Sequence, residues 1–241
     1  MISVCIATYN ASRYIREQVN SVLMQLNVDD EIVVADDNSI DETIAILDSI
    51  KDNRIRVISG HENLGIIKNF ERALYAAKGE IIFLSDQDDI WLPTKVSECM
   101  SQLASNLLVI TDCVVVDSQL NILYPSFFAL RGSRKGFIHN LYKNGYMGCC
   151  MAFKRELLSY ALPMPANVAM HDMWLGLLAE FKGEVSFLPK QLLLYRRHSD
   201  NVSDLESRYG ILKKFYFRIM ITFLLFSRLT VIKLSEFLER K

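Results

Sequence analysis

Short apolar runs alternate with helical stripes through the first half of the chain. Four runs rich in β-forming residues predict strands, at residues 2–7, 31–35, 55–59 and 81–84. Between them, apolar residues recur at helical spacing, at residues 15–26, 41–50 and 66–77. This alternation predicts an α/β fold with a mostly parallel central sheet and helices on both faces. In such sheets, ligands bind beyond the carboxyl ends of the strands.

The second half of the chain is less regular. Strand segments are indicated at residues 107–111, 114–116, 149–153 and 192–196, and a helix at 173–181. Residues 127–144 have a basic, loop-like composition. Two local signals concern helix ends in the first half: Ser39 and Glu42 have capping-box spacing, and Gly79 suits the end of the third helix.

Composition limits the class of protein. The 241 residues are 51% hydrophobic and 23% charged, which is typical of a globular chain. The net charge of −1 provides no overall basic field, so we expect no nucleic-acid partner. Five cysteines without a C-x-x-C motif favour neither a disulfide framework nor a zinc site. Met1 leads directly into a strand pattern without signal-peptide features, so we expect a cytoplasmic location.

An acidic cluster follows the fourth predicted strand. Asp86, Asp88 and Asp89 come directly after the apolar run at residues 81–84. Carboxylates at the end of a buried strand repel one another and are costly to desolvate. A hard divalent cation relieves that cost, and Mg²⁺ or Mn²⁺ suits such ligands while holding substrate phosphates. The alternative is a solvated acidic turn.

Three further polar clusters stand where ligands are expected. Thr8-Tyr9-Asn10 follows the first strand, where an aromatic ring could stack on a base or simply pack. Asp36-Asp37-Asn38-Ser39 follows the second strand and could bind a nucleotide or form an Asx turn. His171-Asp172 opens a helix, where the carboxylate could be a general base or a cap. The chain contains neither G-x-G-x-x-G nor a P-loop motif.

The clusters together resemble the family 2 inverting glycosyltransferases of the GT-A fold. The resemblance spans roughly residues 2 to 203. It is carried by the four clusters and by Asn63-Leu64-Gly65, Ile90-Trp91, and Tyr195-Arg196-Arg197-His198 with Asn201. The Asp-Gln-Asp-Asp-Ile-Trp form is most similar to bacterial rhamnosyltransferases of surface-polysaccharide synthesis.

The resemblance implies a role for each matched residue. Nucleotide contacts are implied for Thr8, Tyr9, Asp36, Asp37, Lys68 and Asp86. Asp88 would be the principal metal ligand, with His198 reaching the metal or diphosphate, although a solvated loop histidine is the alternative. Asp172 would be the catalytic base. Residues 131–147 would form the acceptor side.

The implied activity is metal-dependent transfer of a sugar, with inversion, from a nucleotide-sugar donor. Mg²⁺ or Mn²⁺ would be the cofactor, rhamnose the expected sugar, and a glycan or lipid-linked glycan the acceptor. Three alternatives remain: a transferase of another hexose, a non-catalytic sugar-nucleotide-binding subunit, and a nucleotidyltransferase. The last would need a Gly-rich basic loop after the first strand, which residues 8–16 lack.

The carboxyl-terminal tail predicts a separate amphipathic helix. We expect a catalytic domain at residues 1–205 and a helical tail at 206–241. From residue 211 onward seven basic residues face two acidic ones. The run between Arg218 and Arg228 is shorter than the roughly 20 residues of a spanning helix. The pattern suits a helix lying on the inner face of an anionic membrane, or one packing on the core or on a second subunit.

Overall fold

A computed structural model of the chain describes residues 1–199, 201 and 210–239. The strands are β1 (Ile2–Thr8), β2 (Glu31–Asp36), β3 (Ile55–Ser59), β4 (Ile81–Ser85), β5 (Ile90–Trp91), β6 (Leu108–Val116), β7 (Ile122–Tyr124), β8 (Met151–Lys154) and β9 (Val185–Arg196). The helices are α1 (Ile15–Leu23), α2 (Thr43–Ile50), α3 (Ile66–Ala76), α4 (Lys95–Leu103), α5 (Phe127–Arg131), α6 (Phe137–Tyr142), α7 (Leu157–Ala161), α8 (His171–Lys182) and α9 (Ile211–Glu239).

The strands form one mixed sheet in the order β3-β2-β1-β4-β8-β6-β9-β5, with β7 paired to β6. Strands β3, β2, β1, β4, β6 and β9 run in one direction, and β8, β5 and β7 run against them. The predicted α/β class is confirmed, with antiparallel strands added to a mostly parallel sheet. The carboxyl ends of β1, β2, β4 and β9 therefore meet at one edge, where the polar clusters lie.

The sheet forms because its strands are apolar on both faces. Every residue of β1 and β2 is buried, as expected for strands covered on both sides. Helix α3 packs against β1 and β2, and α4 against β6 and β8. This core fixes the strand ends and hence the loops that follow them.

Several local expectations were wrong. Glu42 caps α2 without a side-chain hydrogen bond, because the hydroxyl of Ser39 instead bonds to Asp36 and to the Asn10 N–H. Helix α3 ends at Ala76, before Gly79. The glycine is needed elsewhere, because a Cβ there would lie 2.6 Å from the backbone nitrogen of Ser3.

The second half contains more regular structure than its sequence pattern indicated. The two segments expected around residues 107–116 form one strand, β6, whose pairing with β9 shifts register near Asp112. The expected loop at 127–144 contains α5 and α6. The segment expected as a strand at 149–153 begins with a 3-10 turn, Gly148–Cys150, and β9 starts at Val185 rather than near residue 192.

Helix α9 packs on the domain through one face. It contacts α6, α7 and α8, with Ile221 and Leu225 buried. The guanidinium of Arg228 donates to the carbonyls of Tyr160 (3.1 Å) and Leu162 (2.8 Å). The boundary expected between residues 205 and 206 lies outside the described residues.

The opposite face of α9 is apolar and exposed. Its exposed side chains include four at helical spacing, each more than half exposed: Phe215, Ile219, Phe223 and Phe226. The stretch Phe215–Lys233 has a mean hydropathy of 1.6 and is long and apolar enough to cross a membrane by length and composition alone. The sequence pattern predicts an apolar stretch too short to span a membrane, because that count includes only the residues between Arg218 and Arg228. A single helix of this kind is weak evidence for a span.

Candidate active site

The loop after β2 is built on Asp36. Its carboxylate accepts hydrogen bonds from the Thr8 hydroxyl (3.0 Å) and from both the hydroxyl (2.6 Å) and N–H (2.8 Å) of Ser39. Asp36 and Thr8 are almost completely buried. Thr8 and Asp36, both predicted to bind the nucleotide, are therefore hydrogen-bonded to each other. Together with Ser39 they fix the conformation of the loop after β2.

Asp37 connects this loop to the start of α3. Its two carboxylate oxygens accept the N–H groups of Leu64 (3.0 Å) and Gly65 (2.8 Å). The guanidinium of Arg72 lies 3.9 Å away. Gly65 has a φ of +84°, which favours glycine at this turn. Asp37 thus holds the segment Asn63-Leu64-Gly65 against the loop after β2.

Tyr9 is exposed and Lys68 partly exposed among the residues predicted to bind the nucleotide. The Tyr9 side chain is 44% exposed, so its ring is free to meet a ligand. The ammonium of Lys68, in the first turn of α3, is 3.0 Å from the carboxylate of Glu71. Gln87 holds the Tyr9 backbone by accepting its N–H (2.8 Å) and donating to its carbonyl (3.2 Å). This bridge ties the loop after β1 to the acidic loop.

The acidic loop follows β4 as predicted and concentrates negative charge. Desolvation, with the charges of Asp88 and Asp172, raises the pKa of Asp86 to about 7. Desolvation raises the pKa of Asp88 as well. Burial and the neighbouring charges of Asp88 and Asp86 raise the pKa of Asp89 well above its ordinary value. A nearby positive charge would reduce the repulsion between these carboxylates and favour their ionised forms.

His198 and Asp88 are brought together although 110 residues separate them. The His198 Nε2 lies 2.8 Å from one oxygen of Asp88, and that oxygen also accepts from the Asn201 amide (3.1 Å). Imidazole nitrogen and carboxylate oxygen side by side are a ligand pair that divalent metals use. The two predicted metal ligands are therefore adjacent.

Asp172 lies in the first turn of α8, buried and close enough to Asp86 to affect its charge. Burial raises the pKa of Asp172 to about 6. The preceding residue, His171, stacks on Phe70 at 4.3 Å, and burial lowers its pKa to about 4. A neutral His171 leaves Asp172 as the group of this pair that can gain a proton near neutral pH.

The residues at this edge fit a divalent cation. Asp86, Asp89 and Cys149 each offer a ligand atom within 4.8 Å of the others. One oxygen of Asp89 is buried without a hydrogen-bond partner among the described residues. Mutually repelling carboxylates that are buried, as Asp89 is, or partly buried, as Asp86 is, are the environment that a bound cation stabilises.

Sequence reasoning missed several residues that hold the site. Asn69 donates to the carbonyls of Thr8 (3.2 Å) and Ala35 (2.7 Å), bridging the first two strand ends. Gln87 stands inside the acidic motif, and Cys149 follows the glycine of the 3-10 turn. The position of Gln87 between two aspartates was an available signal, whereas the contacts of Asn69 and Cys149 depend on distant segments.

The comparison with family models identifies the chain. The model of glycosyl transferase family 2 matches residues 3–161, well over half of the chain. The chain therefore belongs to this family. The match includes the loops after β1, β2 and β4 and ends before α8, so Asp172 and His198 lie outside it.

Curated relatives extend the comparison. An uncharacterized Mycobacterium tuberculosis protein is 27% identical over 226 residues, covering 89% of this chain and 63% of its own. The chain thus spans less than two thirds of that relative. The Shigella flexneri dTDP-rhamnosyl transferase RfbG is 27% identical over 219 residues, covering 81% and 72% of the two chains. The Escherichia coli β-1,3-glucosyltransferase WfaP is 39% identical over 97 residues, covering 40% of this chain and 39% of its own.

Solved structures share the fold. S. aureus TarS, residues 1–349 with UDP-GlcNAc, superimposes with a TM-score of 0.71 at 19% identity, covering 91% of this chain and 65% of that one. The Pyrobaculum calidifontis mannosyltransferase PcManGT, with GDP-Man and Mn²⁺, has a TM-score of 0.63 at 22% identity, covering 84% and 58%. The likeness confirms the predicted GT-A architecture.

Proposed function

We propose that this chain is a cation-dependent glycosyltransferase that moves a sugar, with inversion, from a nucleoside-diphosphate donor to an acceptor hydroxyl. The observation that carries the proposal is the meeting of Asp86, Asp88 and Asp172 at the carboxyl edge of the sheet, with the pKa of Asp86 raised partly by the other two. A donor site that uses a cation needs carboxylates such as Asp86 and Asp88, and activation of the acceptor needs a separate base such as Asp172. Family membership supports the same reading.

The donor would lie across the loops after β1, β2 and β4. Tyr9 offers an exposed ring for the base, and Asp37 and Lys68 flank the start of α3. Asp88 and His198 would hold the cation, with Asp86 and Asp89 beside it. When bound, Mg²⁺ or Mn²⁺ supplies Lewis-acid stabilisation of the diphosphate leaving group.

The chain's own chemistry at the acceptor is proton removal. Asp172, ionised above its pKa of about 6, would take the proton from the acceptor hydroxyl as that oxygen attacks the anomeric carbon. The bond to the diphosphate breaks as the new bond forms, so a single displacement inverts the configuration. The pair of carboxylic acids used by glycoside hydrolases would not require a nucleotide loop.

For the donor we propose a deoxythymidine-diphosphate-linked rhamnose. The acidic motif and Tyr195-Arg196-Arg197-His198 support it, as does the likeness to a protein named as a dTDP-rhamnosyl transferase. The glucosyltransferase relative supports the alternative of another hexose. Asp88 and Asp172 occurring together argue against a non-catalytic subunit.

For the acceptor we propose a glycan, free or lipid-linked, in bacterial surface-polysaccharide synthesis. WfaP is named as acting on a diphosphoundecaprenol-linked sugar, which supports a lipid-linked acceptor. The exposed stripe of Phe215, Ile219, Phe223 and Phe226 would lie in the headgroup region of a membrane carrying it. The electrostatic part of this idea is weaker than the sequence suggested, because Arg218 and Arg228 donate to backbone carbonyls of the domain.

The donor can be tested with a panel of nucleotide sugars. With Mn²⁺ present, the thymidine-linked rhamnose should raise the melting temperature most, since a ligand that binds only the native state stabilises it by mass action. It should also yield a glycosylated product with an inverted anomeric centre. Activity with a uridine-linked hexose and none with the rhamnose donor would refute the donor assignment. Retention of configuration would refute the mechanism.

A further inference from the structure

The motif Tyr195-Arg196-Arg197-His198 contains an arginine to which neither the sequence nor the proposed mechanism assigns a role. Arg196 is the last residue of β9, and only 3% of it is exposed. A buried guanidinium is retained only where its donors are satisfied, because burial of a charge without partners is costly. Its contacts therefore indicate what it does.

Arg196 forms hydrogen bonds to the acidic loop through both its side chain and its backbone. Its Nε donates to the main-chain carbonyl of Asp88 (2.8 Å), and its backbone N–H donates to the carboxylate of Asp89 (3.0 Å). The carbonyl of Arg196 accepts from the amide of Asn201 (3.2 Å), which also bonds to the Asp88 carboxylate. Both the backbone and the side chain of Asp88 are thus linked to the end of β9.

The guanidinium is itself fixed by α1. One nitrogen lies 2.5 Å from the carboxylate of Glu17. The group also stands over the ring of Tyr14, at 4.5 Å, and the same ring packs against His198 at 5.0 Å. Tyr14 thereby contacts both Arg196 and the predicted metal-binding histidine. Arg196 therefore contacts α1, the acidic loop and the end of β9 at once.

We infer that Arg196 is a positioning residue that sets the geometry of Asp88 and His198 for the cation, with Glu17 and Tyr14 holding it in place. The inference rests on the proposed function, since it concerns the cation of that site. Outer partners of metal ligands fix ligand orientation, and their loss typically weakens metal binding by about 10- to 100-fold. Arginine suits the task because its planar fork serves several acceptors at fixed angles, which lysine cannot do.

The test measures the Mn²⁺ concentration that half-saturates binding of a nucleoside diphosphate to the full chain. Arg196→Gln should raise this concentration by about 10- to 100-fold. Arg196→Lys, which keeps the charge and loses the fork, should raise it less. Glu17→Gln should shift it in the same direction and by a smaller factor, because it removes one anchor while the other contacts remain.

Arg54→Gln is the matched control. Arg54 also satisfies backbone carbonyls, those of Leu23 and Leu26, and an acid, Asp52, but it precedes β3 at the opposite edge of the sheet. Its loss should lower the melting temperature and leave the Mn²⁺ requirement unchanged.

Two different failures can be told apart. An unchanged Mn²⁺ requirement in Arg196→Gln, in a protein that does depend on Mn²⁺, would overturn the positioning role alone. Should Arg196→Gln not fold, an unchanged requirement in both Glu17→Gln and Arg196→Lys would overturn it. If the unsubstituted chain binds the nucleotide equally well without any cation, the proposed cation site falls, and the role of Arg196 falls with it.

Discussion

The protonation of Asp172 should set the acid limb of the pH profile. Burial raises the pKa of Asp172 to about 6, and the charge of Arg131 opposes that rise. A general base works only when ionised, and kcat/KM follows the ionisation of the free enzyme, so kcat/KM should be half-maximal near pH 6. One pH unit lower, about one tenth of Asp172 is ionised, and kcat/KM should fall roughly tenfold.

Arg131→Gln tests the electrostatic origin of this limb. The positive charge of Arg131 favours ionised Asp172, so removing it should raise the pKa of Asp172 and move the acid limb to higher pH. Arg134→Gln, an exposed neighbour in the same basic segment, should leave the limb in place. Asp172→Asn should lower turnover by roughly 10² or more while donor affinity stays nearly constant.

The assay is the initial rate of product formation between about pH 5 and pH 8, with donor binding measured separately at each pH. Separate measurement is needed because the pKa of Asp86, raised to about 7, affects the donor site in the same range. A flat kcat/KM below pH 6, or near-normal turnover in Asp172→Asn, would remove Asp172 from the role of base.

Two further predictions concern packing and the membrane. In Gly148→Ala, the new Cβ would lie 2.7 Å from Nε2 of the buried His171. We therefore expect the free energy of unfolding to fall by about 1–3 kcal/mol and turnover to decrease. Thermal melts and rate assays test this, with Gly210→Ala, whose new Cβ meets nothing within 4 Å, as the control. Phe223→Glu should weaken co-sedimentation with anionic liposomes, whereas Val28→Glu, at a side chain that is more exposed (85% against 66%) but lies outside α9, should not. Unchanged co-sedimentation in Phe223→Glu would contradict the membrane role of α9, and a change of oligomeric state would assign that face to a second copy.

The first half of the fold could be predicted because its signals are local. Strands β1, β2 and β4 are apolar runs, and each is followed at once by its polar cluster. Parallel strands bring such clusters to one edge without any further information. The placement of Asp36, Asp37 and Asp86 at that edge therefore follows from the sequence pattern alone.

The rest depends on pairings between distant segments. Strand β8 pairs antiparallel with β4 and β6, an arrangement that no local pattern indicates. The carbonyl of Asp88 meets Arg196 across 108 residues, and Glu17 meets it across 179. The sequence pattern places Asp36 in the candidate site, but its hydrogen bonds with Thr8 and Ser39 depend on the three-dimensional structure.

The central claim is that the acidic loop makes nucleotide binding depend on a divalent cation. Calorimetric titration of a nucleoside diphosphate, with Mn²⁺ and then with chelator, tests it most directly. We expect tight binding only with Mn²⁺, loss of that binding in Asp88→Asn, and no loss in Asp48→Asn, an exposed control on α2. Equal affinity with and without the cation, or unchanged affinity in Asp88→Asn, would contradict the account.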